Sequence, residues 1–247
     1  MKKRILFMGE KPLGYRCLVL LHDLPNVQVI GVCTRKESKV WWGEQKVRKF
    51  SQEKGIPIIT RKAILDLERV DLIVSVLYPF IIEKEILDKA EIAAINLHQA
   101  PLPEYRGCNS ASHAIINGEP TFGGTLHLMS RELDRGDVIE KRTFPIPDGV
   151  TARELYEMND ENCFSMFADN IEKILDNNYI AVPQDPNAPS RVYARDSMAD
   201  KRVDLNWPFE RIWNFTRGCE FPPFEPAYIE QDGRRIYLVT KTRWDDK

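Results

Sequence analysis

The run Ile92-Ala-Ala-Ile-Asn-Leu-His98 is a short apolar segment that ends in two polar side chains. Its length and composition predict a β-strand. Asn96 and His98 stand two residues apart, and because strand side chains alternate, both should project from one face of that strand. In open α/β sheets, ligands bind beyond the carboxyl ends of the strands. We therefore expect Asn96 and His98 to face a binding cleft.

The neighbouring segments predict the sheet to which this strand belongs. The apolar run 3–8 leads into Gly9, and a helical pattern over 13–24 and a Val- and Ile-rich strand over 26–33 follow. Strand, glycine turn, helix and strand in this order open a Rossmann-like fold. Residues 70–77 are almost continuously apolar, as in a parallel strand that is buried on both faces. The sequence thus predicts an α/β protein with a mostly parallel, Rossmann-like sheet flanked by helices.

Farther along the chain, the sequence predicts more helices and strands and a small C-terminal part. The predicted strands cover 56–59, 124–129 and 138–146, and the predicted helices cover 47–54, 108–117 and the segment after the capping box Thr151-x-x-Glu154. Residues 181–190 are rich in proline, so we expect a linker between a catalytic domain, 1–180, and a C-terminal part, 181–247. There, Asp232-Gly233 predicts a β-hairpin. Because an isolated hairpin is marginally stable, it should pack on the core or on a second subunit.

Composition restricts the class of function. The chain has 247 residues, with 35 Lys and Arg against 37 Asp and Glu. This balance argues against nucleic-acid binding, which needs a basic face. The five cysteines form no Cys-x-x-Cys or Cys/His cluster, so no metal site is expected. Gly9 and Gly14 match neither a dinucleotide fingerprint nor a P-loop. No apolar run has the length of a signal peptide core or a membrane span, so we expect no membrane contact and a cytoplasmic protein.

Two further segments complete a pattern that is found in a known family. Gln99-Ala-Pro-Leu-Pro-Glu-Tyr-Arg-Gly107 follows the Asn-x-His pair directly, and Glu132-Leu-Asp-Arg-Gly-Asp137 comes later. In order and spacing, these segments resemble the formyltransferases that use 10-formyltetrahydrofolate. The resemblance extends from about residue 3 to about residue 241 and is clearest over 75–145.

The resemblance implies catalytic roles for three residues. Asn96 would bind the negative charge that develops on the formyl oxygen. His98 would either donate to that oxygen or move the proton of the attacking amine, and both roles stay open. Asp134 would position His98 and stabilise its charged form, with Asp137 as its rival for that role.

The resemblance also implies residues that hold the two substrates. For the formyl donor, 10-formyltetrahydrofolate, the positions are Phe80, Ile81, Ile82, Leu133 and Asp137. For the acceptor, the positions are Gly9, Lys11, Tyr105, Arg106 and Asn109, of which Lys11, Tyr105 and Arg106 would face a pyrophosphate.

Some residues have two interpretations. Asn109 caps a helix or faces the amine substrate, and His127 is more readily a structural histidine than a residue lining the site. Residues 34–45 form a basic loop with Trp41 and Trp42. These tryptophans pack on the next helix, or the loop is a flap beside an anionic substrate that carries a ring.

The C-terminal part narrows the choice of acceptor. Residues 184–247 hold equal numbers of basic and acidic side chains and are too few for the barrel that methionyl-tRNA formyltransferases carry. Phe221-Pro-Pro-Phe-Glu-Pro-Ala-Tyr228 before a hairpin resembles the sugar N-formyltransferases. That resemblance implies a nucleotide-linked amino-dideoxy sugar as acceptor, a role in bacterial surface polysaccharide (lipopolysaccharide O-antigen) synthesis, and a homodimer. The alternatives are a methionyl-tRNA or glycinamide ribonucleotide formyltransferase, a 10-formyltetrahydrofolate hydrolase and a non-catalytic nucleotide-binding module.

Overall fold

A computed structural model describes residues 2–36 and 40–240 of the chain. Residues 37–39 of the predicted flap, residue 1 and residues 241–247 lie outside the described residues. The strands are β1 (Lys3–Gly9), β2 (Val27–Cys33), β3 (Val70–Val76), β4 (Ala90–His98), β5 (Tyr105–Gly107), β6 (Thr121–Leu128), β7 (Val138–Pro145), β8 (Arg191–Tyr193), β9 (Ala227–Gln231) and β10 (Arg234–Leu238). The helices are α1 (Lys11–Asp23), α2 (Lys46–Glu53), α3 (Arg61–Leu65), α4 (Lys84–Leu87), α5 (Ser110–Ile116), α6 (Ala152–Leu175) and α7 (Phe209–Cys219).

The main sheet is mixed and mostly parallel, which confirms the predicted Rossmann-like fold. Its strands lie in the order β2-β1-β3-β4-β6-β7. The pairs β1–β2, β1–β3 and β3–β4 are parallel, whereas β4–β6 and β6–β7 are antiparallel. The strand order reverses between β1 and β3, which makes a crevice at their carboxyl ends. The carboxyl end of β4 lies beside that crevice.

The central strands are buried on both faces, as their apolar runs predict. In β1, Ile5 and Phe7 belong to the apolar layer that α1 and α6 cover, whereas Leu6 and Met8 belong to the layer on the opposite face. Each such side chain contributes about 1.5–3 kcal/mol by leaving water. The predicted capping box is present at the start of α6, where the Thr151 side chain accepts from the Glu154 backbone and the Glu154 side chain accepts from the Thr151 backbone.

The edge beside β2 differs from the prediction. The predicted strand over 56–59 is reduced to one bridge, between Val32 and Ile58. Val32 donates its N–H to the carbonyl of Pro57 and accepts from the N–H of Ile59. Pro57 has no N–H of its own, so pairing does not extend to a longer ladder.

The proline-rich segment after α6 is attached to the core at separate points, although most of its residues are exposed. Val182 exchanges two backbone hydrogen bonds with Val138, at 2.8 and 2.9 Å. Farther on, β8 pairs in parallel with β5. The predicted hairpin is confirmed as β9 and β10, and its Ala227 packs with Val203 and Cys219 in a separate small apolar cluster. Among the described residues, no helix is both long and apolar enough to cross a bilayer.

Candidate active site

The end of β4 presents Asn96 and His98 on one face, next to β6. Asn96 pairs with His127 across the two strands, and its Nδ2 lies 3.1 Å from Nε2 of His127. The ring of His127 is 1% exposed. The alternation along β4 therefore brings a side-chain amide and a second histidine together, and His127 is a structural histidine that lies within the site.

Burial and hydrogen bonding fix the protonation of His127. Burial lowers the pKa of His127 to about 4, and the nearby His98 acts in the same direction, while Asp134 opposes both. The neutral ring holds its proton on Nδ1, because that atom lies 2.7 Å from the carbonyl oxygen of Leu128, which can only accept. Nε2 is then an acceptor for the Asn96 amide. His127 thus orients Asn96 and leaves the second N–H of that amide for a ligand.

A backbone carbonyl fixes the orientation of His98. Its Nε2 lies 2.8 Å from the carbonyl oxygen of Tyr105 and donates to it. Nδ1 is therefore the nitrogen that accepts a proton when the ring becomes charged. It lies 3.8 Å from Oδ1 of Asp134, so this carboxylate stabilises the resulting imidazolium.

The turn after β6 holds Asp134 in the site. Asp134 has φ of 52°, an unusual conformation for a residue other than glycine. Its Oδ2 accepts from the N–H of Gly107 at 3.1 Å, which leaves Oδ1 facing the two histidines. Oδ1 lies 3.9 Å from Nε2 of His127. Asp134 thus lies beside His98, whereas the backbone carbonyl of its rival, Asp137, pairs with Leu128.

A second group of charged and aromatic side chains lies at the ends of β1 and β4. Lys11 follows β1 with φ of 65°, and its Nζ lies 5.5 Å from the ring centre of Trp41 and 5.6 Å from that of Tyr156. Burial lowers the pKa of Lys11, against the attraction of Glu10 and Asp160.

Asp160, on α6, completes this group. It accepts a hydrogen bond from the side chain of Gln99, the residue after His98. Burial raises the pKa of Asp160 to about 7, although Lys11 and the Gln99 hydrogen bond favour its charged form. Trp41 packs edge-on against Tyr156 and Phe221, so it lies on α6 and on the segment after α7, whereas the prediction placed it on the next helix, which is α2.

The other residues predicted to bind the acceptor are buried or are in contact with other protein groups. The Tyr105 hydroxyl donates to Glu119 at 2.6 Å and its ring is buried, so its carbonyl is the part that contacts His98. Arg106 is 3% exposed, and its Nε has no protein partner among the described residues.

The capping interpretation of Asn109 is wrong, because its amide makes no cap and donates to the carbonyl of Arg195 at 3.1 Å. Gly9 packs so tightly that a Cβ there would lie 2.7 Å from the carbonyl oxygen of Val76.

The residues predicted to hold the formyl donor lie in the two connections between β3 and α4 and between β6 and β7. Phe80 and Ile81, after β3, are 50% and 73% exposed, and Leu133 is 52% exposed. Ile82 packs against the core. Phe80 also lines an open cleft of about 770 Å³ beside the end of β2. Exposed apolar side chains of this kind can contact a flat, ring-bearing ligand.

Two contacts at this site lacked any signal in the sequence. Gln184 donates to the carbonyls of Asp134 and Gly136, and Arg195 donates to the carbonyl of Pro79. Both residues come from the segment predicted to be a linker and its continuation.

Comparison with known proteins gives consistent matches over the whole fold. The family model described as formyl transferase matches residues 26–168. A methionyl-tRNA formyltransferase of Clostridium novyi is 31% identical over 252 residues, which cover 95% of this chain and 79% of that protein. The fold of a 4-N formyltransferase from Francisella tularensis matches with a TM-score of 0.80 at 19% identity, over 96% of both chains. An N-formyltransferase from Helicobacter canadensis, solved with folinic acid and dTDP-3-aminofucose, matches with a TM-score of 0.79 at 22% identity, over 96% of this chain and 86% of that one.

Proposed function

The chain belongs to the formyl transferase family and is a formyltransferase, and we propose that it moves a formyl group from 10-formyltetrahydrofolate to the amine of a nucleotide-linked amino-dideoxy sugar. The observation that carries this proposal is the meeting of Asn96, His98 and Asp134 at the carboxyl end of β4, with His127 behind them. This set supplies a hydrogen-bond donor, a proton acceptor and a charge that stabilises it.

The proposed mechanism follows from the orientation of each group. 10-Formyltetrahydrofolate supplies the formyl carbon that the acceptor amine attacks. The second N–H of Asn96 stabilises the negative charge that develops on the formyl oxygen. Nδ1 of His98 accepts the proton that the amine loses, because Nε2 is held by the Tyr105 carbonyl. Asp134 stabilises the imidazolium. The bond between the formyl carbon and the donor nitrogen then breaks, and that nitrogen takes the proton from His98 as tetrahydrofolate leaves.

The donor side of the crevice supports a folate ligand. Phe80, Ile81 and Leu133 expose apolar surface on which a pterin ring could pack, and Leu133 is the neighbour of Asp134 in the chain. Two of the solved structures with this fold contain a formyl folate, folinic acid in one and 5-N-formyl-THF in the other. We propose that Ile82 and Asp137 complete this side of the site, with backbone groups in contact with the ring.

The acceptor side supports a nucleotide sugar. Lys11 offers a cation among the rings of Trp41, Trp42 and Tyr156, and such surroundings suit a phosphate next to a base. The formal net charge of −2 gives no basic surplus for a nucleic acid. The Helicobacter canadensis protein was solved with a dTDP-linked amino sugar, which is an acceptor of this class. We propose that Gly9, Arg106 and Asn109 lie on the same side, and that the protein acts in the cytoplasm.

A second candidate acceptor is methionyl-tRNA. The relatives at 26–32% identity are named methionyl-tRNA formyltransferases, and the match covers nearly the whole of this chain in most of them. One acceptor screen distinguishes the two candidate acceptors. The protein and 10-formyltetrahydrofolate are incubated with a panel of nucleotide-linked amino sugars or with methionyl-tRNA, and mass spectrometry records which acceptor gains one formyl group. A formylated sugar supports the proposal, formylmethionyl-tRNA selects the second candidate, and release of formate alone identifies a hydrolase.

We also propose that the hairpin forms a homodimer interface and that residues 1–180 and 181–247 are the two parts of the chain. The apolar side chains of Ile236, Tyr237 and Val239 are at least half exposed on or next to β10. Exposed apolar side chains on an edge strand favour pairing with a second copy.

A further inference from the structure

We propose that Gln184 is a positioning residue for Asp134: its side-chain amide holds the backbone of the turn 133–137 and thereby sets where the carboxylate points. This inference rests on the proposed function, because it concerns the same site. Gln184 comes from the segment predicted to be a linker, and nothing in its sequence surroundings assigns it a role.

The side-chain amide of Gln184 bridges two backbone carbonyls of the turn. Nε2 of Gln184 donates to the carbonyl oxygen of Asp134 at 2.8 Å and to that of Gly136 at 2.9 Å. Two carbonyls on either side of the turn are therefore held by one nitrogen. The opposite placement of the amide would bring its oxygen against two acceptors, so the orientation has no alternative. Its Oε1 is buried and has no protein partner among the described residues.

The turn needs such a restraint. Asp134 has φ of 52°, a conformation that is unfavourable for a residue with a side chain and persists only where the surroundings impose it. Gly136 packs against the carbonyl oxygen of Leu128 so closely that a Cβ would lie 1.8 Å from it. The turn is thus held on one side by β6 and on the other by Gln184.

Hydrogen bonds to β7 fix the backbone that carries Gln184. Val182 exchanges hydrogen bonds at 2.8 and 2.9 Å with Val138, the first residue of β7. Gln184 is two residues farther on, so the backbone that carries it is fixed beside the turn. On the far side of the carboxylate, the N–H of Gly107 donates to Oδ2 of Asp134 at 3.1 Å. Displacement of the turn therefore weakens the Gly107 contact and moves Oδ1 away from His98.

The direct test measures the Gly107 amide in Gln184→Met, which keeps the chain length and removes both donors. Hydrogen exchange followed by NMR needs no substrate. We expect the Gly107 amide to exchange at least about tenfold faster than in the wild-type protein. Asn162→Leu is the matched control, because it removes a side-chain amide that donates to the Arg142 carbonyl at 3.0 Å, away from the turn. Unchanged Gly107 exchange in Gln184→Met, or equal acceleration in Asn162→Leu, would overturn the proposal.

A double-mutant cycle with Asp134→Asn tests the catalytic consequence. We expect Gln184→Met alone to lower kcat by about tenfold to 100-fold with KM for the acceptor nearly unchanged, since the substitution displaces the carboxylate and the groups proposed to bind the acceptor lie outside the turn 133–137. In the Asp134→Asn protein the same substitution should cost less than about twofold, because its target is already absent. Equal losses in both backgrounds would contradict a role through Asp134.

The exchange experiment and the double-mutant cycle distinguish a failure of the role of Gln184 from a failure of the proposed function. If the wild-type protein transfers no formyl group to any acceptor, the proposed function fails, and the exchange experiment still decides whether Gln184 holds the turn. If Gln184→Met does not fold, Gln184→Asn takes its place, because its amide is one methylene too short to reach both carbonyls. Wild-type exchange and kcat in that variant would equally overturn the inference.

Discussion

Replacement of Asp160 by Asn should make the protein more stable than the wild type at pH 8. This difference in stability should become smaller as the pH falls. Burial raises the pKa of Asp160 from 3.8 to about 7. In the range between these values the folded protein binds more protons at this site than the unfolded chain. The contribution of Asp160 to stability is therefore fully present below pH 3.8 and is lost as the pH rises through 7. The amide in the Asp160→Asn protein cannot ionise, and its carbonyl still accepts from Gln99.

The size of the effect follows from the shift. One pKa unit corresponds to about 1.4 kcal/mol, so the stability advantage of Asp160→Asn should grow by about 2 kcal/mol between pH 5.5 and pH 8. For a chain of this length, 2 kcal/mol corresponds to roughly 4–8 °C in Tm. Thermal unfolding of both proteins at the two pH values measures the difference. Asp169→Asn, an exposed change on the same helix, serves as the control.

A constant difference in Tm at pH 5.5 and pH 8, or a less stable Asp160→Asn protein at pH 8, would refute this reasoning. A buried carboxylate that weakens the fold at neutral pH needs a functional reason. Its nearness to Lys11 and Gln99 supplies one, so we expect the stabilised variant to bind the acceptor less tightly.

Three further outcomes are expected. His127→Leu should lower kcat by about tenfold to 100-fold, because Asn96 loses the partner that orients it; steady-state kinetics measure this, and an unchanged kcat would contradict the role of His127 in orienting Asn96. Lys11→Met should raise KM for the nucleotide sugar while KM for 10-formyltetrahydrofolate stays constant, and equal effects on both would place Lys11 elsewhere in the mechanism. Ile236→Asp should convert the proposed dimer to a monomer in light scattering, and a wild-type monomer would remove that interface altogether.

The features that the sequence predicts well are those that depend on local pattern. The alternation in the run 92–98 is enough to place Asn96 and His98 on one face, because the period of a strand is two. The continuous apolar run 70–77 identifies a central parallel strand without further information. The capping box at Thr151 and the Asp232-Gly233 turn are likewise decided by neighbouring residues.

The features that escape the sequence depend on contacts between distant segments. Gln184 reaches Asp134 across 50 residues, and the Gln99–Asp160 contact spans 61. A proline-rich composition indicates an extended backbone, but it does not predict which residues that backbone contacts. The resemblance implies that Tyr105 faces a pyrophosphate, yet its hydroxyl bonds to Glu119, because the side chain turns into the core beneath α5.

Formyl transfer by Asn96→Ala is the most direct test of the catalytic arrangement. The substitution removes the amide that His127 orients toward the reacting oxygen and leaves His98, Asp134 and both substrate surfaces in place. With a nucleotide-linked amino sugar as acceptor, we expect a folded variant whose kcat is lower by about 100- to 1,000-fold, the usual cost of one oxyanion donor. A folded Asn96→Ala protein that transfers formyl groups at the wild-type rate would contradict the arrangement.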